Sequence, residues 1–148
     1  MKNTVGGSLN IGGVDFQASL NDLRSKVREL LLLAGRMLDE EMYAMAAHNA
    51  SIALHIFLES LHLEMYGIVP VTSRLRNLVI TLVPPGDLEN TLKRYIEENR
   101  GLIEKLEAAY KMSLLSEELS REEAAELLEF VNNTIKLLTE LKNRIPKE

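Results

Sequence analysis

Apolar residues in this chain recur at steps of three and four over most of its length, the signature of helices that bury one face. Leu20, Leu23, Val27, Leu30, Leu31, Ala34 and Leu38 form one such stripe. Ser19, with Asp22 three residues on, predicts the start of this first helix, because a hydroxyl there accepts a free amide and an acid suits the first turn. Asp39-Glu40-Glu41 is a polar break. Tyr43 to Tyr66 predicts a second helix, stopped by Gly67 and Pro70. Ala46, Ala50, Ala53, Phe57 and Leu61 share one of its faces, and three alanines in a row let a neighbouring backbone come close. Val69-Pro70-Val71-Thr72-Ser73 reads as short polar punctuation before a third helix, Leu75 to Val83, which Pro84-Pro85-Gly86 ends. Asp87 is the expected cap of a fourth helix running through Leu88, Leu92, Tyr95, Ile96, Leu102, Ile103, Leu106, Ala109 and Tyr110, with a bend at Gly101. Ser120 with Glu123 forms a capping box for a fifth, striped by Ala124, Leu127, Leu128, Val131, Ile135, Leu138 and Leu141 and ended by Pro146. No segment alternates as a strand does. The expected fold is all-α, an antiparallel up-and-down bundle of four to five helices over residues 18–145.

Residues 1–17 lack this period. Gly6-Gly7 and Gly12-Gly13 bracket Ser8-Leu9-Asn10-Ile11, without the Gly-Lys-Ser/Thr ending of a phosphate-cradling loop. A flexible tail, or a short extended segment docking on a partner, is expected. Composition narrows the class further. A chain of 148 residues that is 46% hydrophobic and 5% aromatic suits one domain of packed helices. Cysteine is absent, which removes disulfides, thiolate metal sites and a Cys nucleophile. The longest apolar run, Leu30–Gly35, is far short of the roughly 20 residues of a membrane span. With no secretion signal legible, a cytoplasmic location without membrane contact is expected. A net charge of −5 argues against a general nucleic-acid surface, and the basic groups Arg24/Lys26/Arg28, Arg74/Arg76 and Lys93/Arg94 have no interleaved aromatics to stack bases. A single glutamine and no cysteine lean towards a heat-adapted source.

The three histidines, His48, His55 and His62, lie seven residues apart on the second helix, so imidazole chemistry has one possible origin. Such a spacing drifts only about 20° per step, and Glu41 and Glu59 fall on the same face. The plain expectation is a solvated polar strip opposite the alanine face. The sharper one is a self-association, partner or ligand surface of His48, His55, Glu59 and His62, with Arg74 and Arg76 nearby in sequence. Glu59-Ser60-Leu61-His62 has the Glu-x-x-His spacing of di-iron bundles, but no other helix carries a histidine, so no metal site is assigned. No cofactor motif is present, and no Gly-x-Ser-x-Gly elbow supplies a serine nucleophile.

The stretch from Met42 to Leu82 resembles the HEPN superfamily (higher eukaryotes and prokaryotes nucleotide-binding). The likeness rests on Tyr43-Ala44-Met45-Ala46, on the alanine-spaced run Ala50 to Leu61, and on Gly67, the proline-containing loop and Arg74-Leu75-Arg76-Asn77-Leu78. Ile103 to Tyr110 and the acidic stretch Glu122–Glu129 look like the family's last two helices. The resemblance covers about residues 18–143 and implies a five-helix bundle. Many of its members are ribonucleases with an arginine, four to six residues, then a histidine. From Arg94 that spacing reaches Asn99, Arg100 and Gly101; from Arg100 it reaches Lys105, Leu106 and Glu107. The family's Thr-His-Asp-Leu is Thr72-Ser73-Arg74-Leu75 here, and Lys111 to Leu115 replaces a Ser/Thr-Arg-Tyr-Pro stretch. The resemblance therefore implies a non-catalytic homodimer, partner of a minimal nucleotidyltransferase in a toxin–antitoxin-like pair, with no catalytic residue assigned. The alternative is a divergent endoribonuclease or a nucleotide-binding module that takes nucleotide or RNA.

Overall fold

The computed structural model describes residues 14–71, 74–111 and 119–144, with side chains from Phe16 onward. They form six helices and no strand: α1 (Val14–Asp39), α2 (Tyr43–Tyr66), α3 (Leu75–Ile80), α4 (Asp87–Glu98), α5 (Arg100–Tyr110) and α6 (Arg121–Lys142). The all-helical class is as expected. No described helix is long and apolar enough to cross a membrane.

Several boundaries differ from the expected ones, each for a local reason. α1 starts at Val14, so Ser19 lies exposed inside the helix instead of capping it. Of the glycine-rich segment, residues 1–13 lie outside the described residues, and 14–17 belong to α1. α3 ends at Ile80, where the Thr81 hydroxyl donates back to the Asn77 carbonyl, 2.7 Å. Leu82 and Val83 are buried beyond its end, ahead of a proline that disfavours helical geometry at the residue before it. The expected fourth helix is two. It breaks at Asn99 (φ −119°, ψ 27°), whose side-chain amide donates to the Tyr95 carbonyl at 2.8 Å, and not at Gly101. An asparagine competing for main-chain acceptors is enough to interrupt the ladder. Gly86, at φ +145°, takes the N-cap position expected of Asp87, a backbone setting open to glycine; Asp87 sits in the first turn beside the positive helix end.

Other boundaries form where the sequence signals place them. The Ser120–Glu123 capping box is present in both directions, at 3.0 and 2.9 Å. Gly67 closes α2 in the left-handed region, φ +76°, its amide donating to the Leu63 carbonyl. The break before α2 is a tight turn with Glu41 at φ +64° and the Met42 amide on the Met37 carbonyl, 2.8 Å.

α2 is the hub. Ala46, Ala47, Ala50 and Ala53 are fully buried, and α1, α3, α5 and α6 all pack on it. α1 runs antiparallel to α2, with Arg24 bonded to Glu64 at 2.8 Å. Lys142 reaches the same carboxylate at 3.2 Å, which brings the end of α6 to the end of α2. Ser51 donates to the Leu106 carbonyl (2.7 Å) and His48 meets that of Ala109, so α5 runs antiparallel to α2. The main core, with Leu54, Leu58, Leu78, Leu92, Leu106, Leu127 and Val131 at its centre, fills the space between these helices.

Candidate functional site

A helix that packs against four others leaves little face for a solvated strip. His55 and His62 are accordingly buried, 2% and 3% exposed, and His48 is half-buried. The solvent-facing strip expected of these residues is not what forms. Each imidazole instead meets a main-chain carbonyl. His48 Nδ1 lies 2.6 Å from the Ala109 oxygen, His55 Nδ1 2.9 Å from that of Ser51, and His62 Nε2 2.8 Å from that of Leu78. A carbonyl oxygen only accepts, so each of these nitrogens carries the hydrogen. The His55 ring also stacks on Tyr110, centroids 3.7 Å apart and planes within 19°. Two of the three thus bind α5 to α2, and the third binds α3.

The remaining candidates are dispersed. Glu59 is half-buried on α2; Arg74 and Arg76 are exposed at the start of α3. The first turn of α3 is held from elsewhere, the Leu75 amide donating to Glu107 Oε2 at 2.8 Å. Among the described residues no group of three or more His, Asp or Glu side chains is placed to hold a metal ion. Of the basic groups, Arg24 is taken up by Glu64, and Arg28 donates to Ser25 at 3.1 Å.

Three ionisable groups are displaced from their ordinary values: Glu123 is held low by its bond from the Ser120 amide and by Lys105, and the other two, Glu64 and Tyr95, sit between helices. Burial works to raise Glu64, yet the hydrogen bonds and charges of Lys142 and Arg24 together outweigh it and hold the carboxyl below the usual range. Burial pushes the Tyr95 phenol up, against the opposing effect of its 2.6 Å bond to Thr134. The Glu64 and Tyr95 contacts each join helices.

The open surface feature lies where α2 ends. Tyr66, Ile68, Val69 and Val71 are all exposed, Ile68 by 68% and Val71 completely. Val69–Ser73 was expected to be polar punctuation; of it, Val69 and Val71 join Tyr66 and Ile68 in an apolar ledge, and residues 72–73 lie outside the described residues. At its root is an open cleft of about 240 Å³ lined by His62, Tyr66, Ile68, Pro70 and Thr81. Tyr66 is anchored by its hydroxyl, which donates to the Leu82 carbonyl. One signal was available in sequence: Ile68, Val69 and Val71 in a connection where polar residues are the rule. No family model matches this chain, and no curated protein or solved structure matches it either.

Proposed function

We propose that this chain is a non-catalytic, HEPN-like interaction domain that acts as a homodimer, partnered in the cell by a minimal nucleotidyltransferase in a toxin–antitoxin-like pair. The up-and-down helix arrangement of that family belongs to the same proposal. One observation carries it: the exposed apolar ledge Tyr66–Val71 stands beside a core whose histidines are hydrogen-bonded to main-chain carbonyls. An apolar run left in water favours association. An imidazole that is to move a proton in a reaction needs the substrate within hydrogen-bond reach; burial of His55 opposes this, and His62, though it lines the cleft, is 3% exposed with its Nε2 engaged by the Leu78 carbonyl.

Light scattering across the micromolar range tests the association: the expected average mass rises from that of one chain towards twice that value, and a strict monomer throughout contradicts it. Incubation with structured RNA tests the chemistry. The expected result is intact RNA. Cleavage that copurifies with the protein and disappears in a folded His48→Ala variant would replace this proposal with the endoribonuclease. Co-expression with a nucleotidyltransferase encoded beside it tests the partner, with a stable complex expected.

A further inference from the structure

We infer that the face joining two copies is the end of the bundle formed by Tyr66–Val71 and the cleft behind it, the branched side chain of Val71 from each copy entering the cleft of the other. This rests on the dimer proposed above and says where it forms. A twofold dimer needs one patch that complements itself, so projection and recess must lie side by side on the same surface. That condition is met here. Val71 is fully exposed, and the 240 Å³ cleft next to it, walled by Tyr66, Ile68 and Pro70 with Thr81 and His62 below, has room for a branched aliphatic group.

Charge points the same way. The chain carries a net charge of −5, so two copies repel wherever carboxylates face each other. No Asp, Glu, Lys or Arg lines the cleft, and none lies between Tyr66 and Val71. The patch is the neutral place at which like-charged copies can meet. Leu32, at 70% the most exposed large apolar side chain outside this patch among the described residues, offers no such place. Its helical neighbours Arg28, Glu29 and Arg36 are charged and exposed, and isolated apolar residues of that kind are ordinary surface.

Size sets the strength. A handful of residues a side, against roughly 20–30 in a standard interface, gives a weak dimer whose population changes over the micromolar range. Sedimentation velocity from low to high micromolar concentration is the test, on the full chain, with Val71→Asp and Leu32→Asp as variants. Both positions are exposed, so the fold tolerates either change, which circular dichroism verifies. The wild type and Leu32→Asp are expected to dimerise alike, and Val71→Asp to raise Kd by more than about tenfold, because a carboxylate would enter an apolar recess unpaired. A wild type that stays monomeric throughout overturns the dimer itself. A wild-type dimer that Val71→Asp leaves intact overturns this face alone, and loss through Leu32→Asp instead moves the interface to α1.

Discussion

At the scale of the residue, the three imidazoles show why spacing alone misplaces a polar side chain. Heptad spacing puts His48, His55 and His62 on one side of a helix, but it does not say whether that side meets water. Buried histidine is tolerated when its ring nitrogens find acceptors and its body finds apolar contacts. His62 has the Leu78 carbonyl and lies near the tilted ring of Tyr66, centroids 6.1 Å apart. Truncating it removes a hydrogen bond and leaves a void under α3. The His62→Ala variant is expected to lose about 2–3 kcal/mol in urea unfolding, while His48→Ala, at a half-buried site, loses nearer ~1 kcal/mol. Equal and negligible losses at both positions would mean that these rings do not serve the fold.

At the scale of the element, start and stop chemistry was legible where a single local contact decides it. Ser120–Glu123 and Gly67 are such cases, since the partners lie within one turn of each other. The α4–α5 break and the early end of α3 were not legible, because Asn99 and Thr81 turn their side chains onto the main chain by local competition that periodicity does not register. The burial of α2 left a trace that periodicity also hides. Its 24 residues include only two formal charges, Glu59 and Glu64, and a helix apolar on most sides is a buried one. One of those charges ties three helices together, through Arg24 of α1 and Lys142 of α6. Because the folded state holds the Glu64 carboxyl below its ordinary value of 4.5, its ionised form stabilises the fold. That contribution is complete above the ordinary value and is lost as pH falls through the lower folded one. The melting temperature of Glu64→Gln should therefore lie below that of the wild type at neutral pH, and the gap should close in acid. A gap that widens on acidification would reverse the sign.

At the scale of the whole molecule, the pattern of stripes was sufficient for the all-helical class but not for the central place of α2, whose histidine face was expected to meet water. The apolar ledge Tyr66–Val71 left only its composition as a signal, because it sits in a connection of a few residues where no period exists to flag it. What the molecule does with its polar groups follows from the hub. The imidazoles that sequence offers as chemistry are taken into seams, His48 and His55 beside Ser51 on the α5 side and His62 towards α3. Among the described residues, four of the six exposed large apolar side chains, Tyr66, Ile68, Val69 and Val71, lie at one end, with Leu32 and Met42 apart from them. Histidine tautomers report on this division directly, through long-range proton–nitrogen correlation spectra of the ¹⁵N-labelled protein at neutral pH. The account predicts three fixed rings, hydrogen on Nδ1 for His48 and His55 and on Nε2 for His62, with slow exchange at the two buried ones. Three rings averaging between tautomers and exchanging with water at the rate of a free imidazole would contradict it.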